Sequence, residues 1–244
     1  PAHKRTHDGK RGHSTRIGVV VTAAYGAFTM SGNRSRPTLT YERRLWAEGF
    51  QLVAGLDEAG RGAWAGPVVA AAVILPAGEP DLAQHLDGVR DSKTLSAARR
   101  EQLLLVIQRY ATAWAACAVP PAEIDGLGIV PATRKAMAQA LQRLAASPDH
   151  LLIDYLPLSA VTLPQISLPK GDAKVLSIAA ASIVAKVTRD RMMIELEAKI
   201  PGYGFARHKG YGTPQHRAAL AELGVCDAHR RSFAPMRFLE ADGV

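Results

Sequence analysis

Cysteine is scarce in the 244-residue sequence, and this and other absences exclude several classes of protein. The two cysteines, Cys117 and Cys226, favour neither a disulfide framework nor a zinc site, which fits a reducing compartment. No segment after the first 38 residues is apolar for long enough to span a bilayer. The sequence also shows no Ser/His/Asp or Cys/His nucleophile set. We therefore expect a cytoplasmic globular protein whose chemistry, if any, does not use an activated serine or cysteine.

Excess positive charge is also scarce outside the N-terminal segment. The formal net charge is +8, but residues 1–38 hold seven Lys and Arg against Asp8 alone and so account for +6. The 23 basic and 21 acidic residues that remain nearly balance. A nucleic-acid-binding surface in the rest of the chain must therefore be a local patch. We expect residues 1–38 to form a basic, disordered tail and residues 39–244 to form one catalytic domain.

The tail leaves two interpretations open. A basic segment precedes the apolar residues 17–21, and small residues continue to Met30, which resembles an export signal. Gly and Thr dilute the apolar run, however, and the chain begins at Pro1 while Met30 stands where a natural start would fit. We favour a dispensable tail over an export signal.

Hydrophobic periodicity and turn residues predict strands and helices along the rest of the chain. The predicted strands are residues 52–56, 67–75, 111–119, 150–154 and 164–168. The predicted helices are residues 41–48, 97–110 after an N-cap at Ser96, 129–144, 172–199 and a segment from Pro214. An initial strand pair followed by alternating strands and helices predicts an α/β fold. We expect a mixed β-sheet flanked by helices, with a helical C-terminal region.

The first strand ends in an acidic pair, Asp57-Glu58, and Gly60, Arg61 and Gly62 follow. Neighbouring carboxylates raise each other's pKa unless a cation or a proton intervenes. Mg²⁺ prefers oxygen ligands and keeps waters for a phosphate substrate. The glycines let the backbone approach a ligand closely, and the arginine supplies a charge that matches phosphate. A solvated turn is the alternative interpretation of this stretch.

Two more acids, Asp154 and Asp172, follow the strand at 150–154 and precede the helix predicted from 172. Taken singly, they are explained as a turn residue and an N-cap. Together with Asp57 and Glu58 at one sheet edge, they could hold two divalent ions about 4 Å apart for in-line phosphoryl displacement. Successive strand side chains point to opposite faces. We therefore expect the strand to bend or end between Asp57 and Glu58, or Glu58 to reach round from the glycine loop.

These acids lie in sequence blocks that resemble the ribonuclease HII family. Between about residues 41 and 238, the matching blocks are 57–62, 66–68, 91–93, 152–154, 170–172, 177–186, 189–190, 208–213 and 229–235. One Gly-Arg-Gly would mean little, but the ordered set is highly specific. The chain departs from the family pattern at Ala63-Trp64, at Tyr155 where glycine is common, and at Gly128 where asparagine is frequent.

The resemblance implies a ribonuclease-H-like fold and an endonuclease that cuts RNA within RNA/DNA hybrids. It also implies incision 5′ of single ribonucleotides in duplex DNA, as in ribonucleotide excision repair and DNA replication. The implied ligands of two Mg²⁺ or Mn²⁺ ions are Asp57, Glu58, Asp154 and Asp172. The implied substrate contacts are Gly60, Arg61 and Gly62 around the ribose 2′-OH, Ser92, Lys93 and Lys186 at phosphates, and Tyr211 under the sugar. We expect a monomer without membrane association.

Other polar residues are interpreted as structural. Asp190 is assigned to a salt-bridge network, and the Arg99-Arg100 pair to a solvated helix face. Three histidines lack the spacing of a zinc cluster: His208, His216 and His229. For His208 a satisfied hydrogen-bonding role competes with a place near phosphate. The Arg230-Arg231 pair is left open between stabilising the fold and contacting a nucleic-acid backbone.

Two other functions stay in competition with a metal-dependent endonuclease. A non-cutting RNA/DNA-hybrid-binding module would keep the fold, but it would gain nothing from holding repelling carboxylates near phosphates. A ribonuclease HIII would carry a folded N-terminal substrate-binding domain, for which a 38-residue tail is too small. The ribonuclease HII type is the leading hypothesis.

Overall fold

A mixed β-sheet of five strands forms the middle layer of the protein in a computed structural model that describes residues 36–234, 236 and 237. The strands are β1 (Val53–Ala59), β2 (Val68–Ile74), β3 (Ala113–Val119), β4 (His150–Asp154) and β5 (Gln165–Leu168). Their spatial order is β3-β2-β1-β4-β5. β2 is antiparallel to β1 and β3, whereas β4 is parallel to β1 and β5. Because Leu56 pairs with Ile153, the next residues along the two parallel strands are Asp57 and Asp154.

Helices cover both faces of the sheet. They are α1 (Thr40–Ala47), α2 (Leu82–His85), α3 (Ala97–Tyr110), α4 (Pro121–Leu127), α5 (Ile129–Gln142), α6 (Leu176–Lys199), α7 (Phe205–His208) and α8 (Pro214–Leu223). Helices α3 and α6 pack on one face, and α5 packs on the other. This arrangement confirms the predicted mixed sheet flanked by helices, with a helical C-terminal region. Among the described residues, none of these helices combines the length and the apolar content that crossing a membrane requires.

Close packing of α6 against β1 sets the position of the candidate site. β1 contains Gly55, where a Cβ would overlap the backbone of Ser177 and Ile178 at the start of α6. The following residues of the helix are small and fully buried, from Ala179 to Ala181. The helix can therefore lie directly on the strand, and Ser182 comes within hydrogen-bonding reach of Asp57.

Most predicted elements are confirmed, and the local differences have physical causes. β4 and α3 have the predicted bounds, and the Ser96 side chain accepts the N–H of Arg99 at 3.2 Å. The expectation that a helix begins at Asp172 is wrong, because that residue lies in a separate 3₁₀ turn (Gly171–Ala173) before α6. Helix α4 was not predicted. Pro121 is its first residue. Proline has no N–H, but the N–H groups of the first helical turn have no partner within the helix, so proline costs no hydrogen bond there.

Several predictions fall on the N-terminal segment. The expected disorder, the export signal and the start at Met30 concern residues 1–35, which lie outside the described residues. Thr38, the last residue assigned to the tail, is described: its N–H donates to the Lys174 carbonyl at 3.0 Å, and its carbonyl accepts from Leu176 at 3.1 Å. Leu39 is 3% exposed and belongs to the core. The folded part of the described chain therefore includes Thr38.

Candidate active site

A cavity of about 540 Å³ lies where β1 and β4 end. Its charged lining, among the described residues, is Glu58, Arg61, Asp91, Lys93, Asp154, Lys170 and Asp172. Three of the four acids predicted as metal ligands therefore share one cavity. The basic side chains around them are suited to an anionic substrate.

Asp57 is the buried member of this acidic group. The residue is 3% exposed, and its Oδ1 accepts the N–H of Glu58 at 2.7 Å. Burial, followed by the charges of Glu58 and Asp154, raises the pKa of the Asp57 carboxyl well above its ordinary value. A hydrogen bond from Ser182 opposes this rise in pKa. The charges of Asp57, Glu58 and Asp154 are thus directly coupled.

Glu58 reaches the cavity from within β1. The expectation that the strand ends between Asp57 and Glu58 is wrong, because β1 continues to Ala59. Strand alternation puts Glu58 on the face that Leu56 shares with α5, whereas Asp57 faces α6. The two carboxylates therefore leave opposite faces of the strand. Glu58 lines the cavity, and its charge still contributes to the raised pKa of Asp57.

The Glu58 carboxylate is incompletely paired. Its Oε1 accepts from Arg61 Nη1 at 3.2 Å, while its buried Oε2 has no hydrogen-bond partner among the described residues. Burial raises the pKa of Glu58, although the charge of Arg61 lowers it. A buried carboxylate oxygen without a partner carries a desolvation cost that a bound cation would relieve.

Asp154 and Asp172 are tied together through a backbone amide. Asp154 Oδ1 accepts the N–H of Gly171 at 2.7 Å, which fixes the turn carrying Asp172 beside the end of β4. Asp172 is 7% exposed, and burial, then the charges of Asp91 and Asp154, raises its pKa. The alternative reading of Asp172 as a helix N-cap does not hold, because Val175 occupies the N-cap position of α6.

Lys93 supplies a cation within this acidic group. Burial lowers its pKa, but the charges of Asp57, Asp172, Asp91 and Asp154 together raise it above the ordinary value. Sequence reasoning did not assign Asp91 to the site, although it stands in the matched block 91–93. Its Oδ1 accepts the N–H of Lys93 at 2.9 Å, so it caps the turn that presents the lysine. An acid two residues before a site lysine is a signal that could have identified it.

Gly60 and Gly62 differ in what surrounds them. Gly60 has a φ of +91°, and a Cβ there would overlap the side chain of Arg189. A Cβ at Gly62 would meet no described atom within 4 Å. The backbone at Gly62 is therefore open to close approach, whereas the fold itself requires glycine at position 60.

Buried guanidinium groups donate hydrogen bonds to carbonyls of the glycine-rich loop, which is the segment 60–67 between β1 and β2. Arg189 donates to the carbonyls of Pro67 at 2.8 Å and Ala65 at 3.1 Å. Arg230 donates to the carbonyls of Gly66 at 3.0 Å and Arg61 at 2.8 Å. Burial, then repulsion from Arg189, lowers the pKa of Arg230 to about 9. Of the two roles left open for Arg230, the structure supports stabilisation of the fold.

Ser92 and Lys186 lie behind the cavity rather than on its wall. Ser92 is buried, and its hydroxyl lies 2.9 Å from that of Ser182. Lys186 Nζ donates to Asp190 Oδ1 at 2.5 Å, and burial lowers the lysine pKa. Phosphate contacts by Ser92 and Lys186 stay predictions.

The salt-bridge role predicted for Asp190 is confirmed, and the interpretation of Arg100 is wrong. Arg100 Nη2 pairs with Asp190 at 3.1 Å, and its Nη1 donates to the carbonyls of Ser92 at 3.1 Å and Leu95 at 2.7 Å. Arg100 is therefore part of the support of the 92–95 turn rather than a solvated helix residue. Burial of its side chain depends on the packing of α3 against α6, which periodicity does not reveal.

Buried histidines support the segment that carries Tyr211. The tyrosine is 38% exposed, and its carbonyl is 3.1 Å from His216 Nδ1. His216 Nε2 lies 3.1 Å from His229 Nε2, and the ring of His208 stacks on His216 at 4.4 Å. Burial lowers the pKa of both His216 and His229 to about 4, so both are neutral at physiological pH. His208 is hydrogen bonded to the Tyr203 carbonyl at 2.7 Å, as its predicted structural role requires.

The carboxylates do not form a closed ligand cluster in this arrangement. Among the described residues, no three or more His, Cys, Asp or Glu side chains come together tightly enough to hold one metal ion. The predicted ligands nevertheless fit a divalent cation, because all four offer carboxylate oxygens. A bound cation would also offset the burial and the neighbouring negative charges that raise the pKa values of Asp57 and Asp172. The unpartnered Glu58 Oε2 points to the same ligand chemistry.

Comparisons with known proteins match most of this chain. The family model for ribonuclease HII matches residues 54–239. A ribonuclease HII from Geobacillus thermodenitrificans (strain NG80-2) is 55% identical over 206 residues, which are 84% of this chain and 76% of that protein. A ribonuclease HII from Chloroflexus aggregans (strain MD-66 / DSM 9485) is 52% identical over 200 residues, which are 82% of this chain and 94% of that protein. The crystal structure of ribonuclease H2 from Pyrococcus horikoshii OT3 superimposes with a TM-score of 0.68 at 27% identity, covering 78% of this chain and 97% of that one.

Proposed function

This chain belongs to the ribonuclease HII family, and we propose that its acidic cavity hydrolyses the RNA strand of RNA/DNA hybrids and incises duplex DNA 5′ of a single embedded ribonucleotide. The protein is a ribonuclease H with the ribonuclease-H-like fold. The observation that carries the proposal is the meeting of acids from the ends of β1 and β4 and from the 171–173 turn, with Lys93 and Arg61 at the same cavity.

The proposed metal ligands are Asp57, Glu58, Asp154 and Asp172, which would hold two Mg²⁺ or Mn²⁺ ions. Only carboxylate oxygens are offered, which suits these hard cations. A cation bound between them would offset the mutual repulsion that contributes to the raised pKa values of Asp57 and Asp172. When bound, such ions supply Lewis-acid activation of water and neutralise charge on the departing 3′ oxygen, leaving 5′-phosphate and 3′-hydroxyl ends.

The remaining site residues position the substrate strand. Lys93 is held as a cation by the surrounding acids and provides a charge for a phosphate. Gly62 leaves the loop backbone open to close approach, which suits contact with the ribose 2′-OH that distinguishes RNA from DNA. Tyr211 offers a part-exposed ring, backed by the Arg189 guanidinium 5.5 Å from its centre, on which a sugar can rest. Gly60, Arg61, Ser92 and Lys186 complete the proposed set.

One assay tests the reaction. Duplex DNA containing one ribonucleotide is incubated with the full chain, with and without Mg²⁺ or Mn²⁺, and the cut position and end groups are mapped. The expected products arise from a cut on the 5′ side of the ribonucleotide, only with metal, with a 3′-hydroxyl and a 5′-phosphate. A 2′,3′-cyclic phosphate would instead identify the ribose hydroxyl as nucleophile and contradict the proposed mechanism.

The non-cutting hybrid-binding module is the second candidate, and the balance of charges argues against it. A module that only binds a polyanion would not benefit from Asp57, Glu58, Asp154 and Asp172 beside the phosphates. We further propose that residues 1–29 are dispensable for cleavage and that the enzyme is a cytoplasmic monomer. Deletion of residues 1–29 should leave the cleavage rate unchanged, and a large loss would assign the segment a role in binding.

A further inference from the structure

Tyr155 combines an unusual backbone conformation with an exposed ring at the cavity. Its φ is 59°, in the left-handed region that a bulky residue rarely adopts. The residue is 61% exposed and lines the cavity directly after Asp154. A strained residue at a functional site is a reason to look for a role that glycine could not fill.

Hydrogen bonds around Tyr155 fix this conformation. Its N–H donates to the Leu168 carbonyl at 3.1 Å, extending the contact between β4 and β5 by one residue. The next N–H, of Leu156, donates back to the Asp154 carbonyl at 2.7 Å. The chain therefore turns sharply after Asp154, and the tyrosine side chain is left at the cavity wall. Within the described part of the chain, the ring and hydroxyl of Tyr155 make no hydrogen bond or ring contact.

Lys170 also lines the cavity, and its backbone is also in the left-handed region. Its φ is 55°, and the residue is exposed. It precedes the Gly171 N–H that bonds to Asp154, so the strand-end turn and the Lys170 turn are joined. An aromatic ring and an ammonium group thus flank the acids on one side. Nucleic-acid strands are held without sequence preference by this pair of groups, the ring stacking on bases or sugars and the cation meeting phosphates.

We propose that Tyr155 is a substrate-contacting residue, whose ring packs against a sugar or base of the bound duplex beside Asp154 while Lys170 meets a neighbouring phosphate. This contact rests on the ribonuclease HII function proposed above. It gives a reason for a bulky side chain at a position where glycine would be less strained.

Affinity measurements on a cleavage-deficient background test the contact. In Asp57→Asn protein, fluorescence anisotropy gives the Kd for duplex DNA containing one ribonucleotide. Adding Tyr155→Gly or Tyr155→Leu should raise Kd about tenfold, as loss of one stacking contact does, while Tyr155→Phe keeps the ring and the affinity. The unfolding temperature of Tyr155→Gly should not fall, because glycine suits a φ of 59°. A purely structural tyrosine would show the opposite pattern: lower stability and unchanged Kd.

The salt dependence of binding and a control residue distinguish a specific contact from non-specific binding. Lys170→Ala should reduce the slope of log K against log salt by about one, whereas Tyr155→Gly leaves the slope unchanged. Trp114 is a 39% exposed aromatic on β3, at the opposite edge of the sheet, and Trp114→Ala should not alter Kd. An unchanged Kd for Tyr155→Gly and Tyr155→Leu, or an equal loss with Tyr155→Phe, would overturn the contact.

Cleavage by the protein without substitutions is assayed in parallel, so that the two proposals fail separately. If that protein cuts and the Tyr155 variants bind normally, only the contact is wrong. If it does not cut but the Tyr155→Gly and Tyr155→Leu substitutions weaken binding, the contact stands and the proposed reaction is wrong.

Discussion

The side chain of Arg189 fills the space that a Cβ at Gly60 would need. Arg189 is fully buried in α6, and besides the carbonyls of Pro67 and Ala65 it donates to that of Lys209 at 2.9 Å. One guanidinium thus joins the glycine-rich loop to the segment that carries Tyr211. The loop of residues 60–67 is therefore tied to α6 by hydrogen bonds from Arg189 to the carbonyls of Ala65 and Pro67.

Gly60→Ala should therefore destabilise the protein. The substitution imposes a φ of +91° on a residue with a Cβ and displaces a buried, fully bonded arginine, a combined loss of about 2–4 kcal/mol. Urea unfolding measures the loss. Gly62→Ala is the matched control, since a Cβ there meets no described atom within 4 Å, and its unfolding free energy should stay within about 0.5 kcal/mol. Equal losses at the two positions would contradict this assignment.

Asp57→Asn should separate catalysis from binding. Removing one proposed metal ligand should lower kcat by more than about a hundredfold. Loss of a residue that only supports a metal ligand lowers activity by about a hundredfold at most. Affinity for an RNA/DNA hybrid should persist or tighten, because a negative charge near the phosphates is removed. Single-turnover cleavage and anisotropy measure the two effects. Unchanged cleavage would contradict the assignment of Asp57 as a metal ligand. Loss of affinity would show that Asp57 supports the fold or the binding surface instead.

The contribution of three site carboxyls to metal-free stability should fall as pH rises. The carboxyls of Asp57, Glu58 and Asp172 have folded-state pKa values above their ordinary values of 3.8, 4.5 and 3.8. Their contribution to stability is fully present below about pH 4 and is lost as pH rises through the raised pKa values. Mg²⁺ favours the ionised forms, so the stabilisation by Mg²⁺ should grow with pH over that window.

Thermal unfolding with and without Mg²⁺, from about pH 5 to about pH 8, measures this coupling. Asp57→Asn is the control, because it removes the most buried of the three carboxyls and should flatten the metal-free pH dependence. An Mg²⁺-induced shift in unfolding temperature that does not vary with pH would show that these carboxyls are not the groups that respond to the ion.

Local patterns were sufficient to predict the elements that bring the acids together. β4 has the predicted bounds because a short buried apolar run ends at an acid, and α3 has them because Ser96 caps it. Asp57, Glu58, Asp154 and Asp172 were selected as candidates from strand ends, a helix start and family blocks. The ordered resemblance, rather than any single spacing, raised them above the explanations as turns and caps.

The residues that sequence reasoning missed act through contacts between distant segments. Glycine is required at position 60 because the side chain of Arg189, which lies 129 positions later in the sequence, occupies the space of a Cβ. Arg100 was interpreted as a solvated helix residue because its exposure depends on how α3 meets α6. Periodicity reports which face of a helix is apolar, not which polar side chain is covered by a neighbouring element.

His216 should make the enzyme sensitive to acid, in the opposite direction to the carboxyls. Its folded-state pKa is about 4 against an ordinary 6.5, so its contribution to stability is present above pH 6.5 and is lost as pH falls through about 4. His216→Asn should cost about 1–3 kcal/mol near neutral pH, because the Tyr211 carbonyl and His229 lose a buried partner. Between pH 6.5 and 4, its unfolding free energy should fall less steeply than that of the unsubstituted protein, by up to about 1.4 kcal/mol per pH unit. Urea unfolding across this range measures the slope. An unchanged slope would mean that His216 takes up its proton in the folded protein and does not stay neutral behind Tyr211.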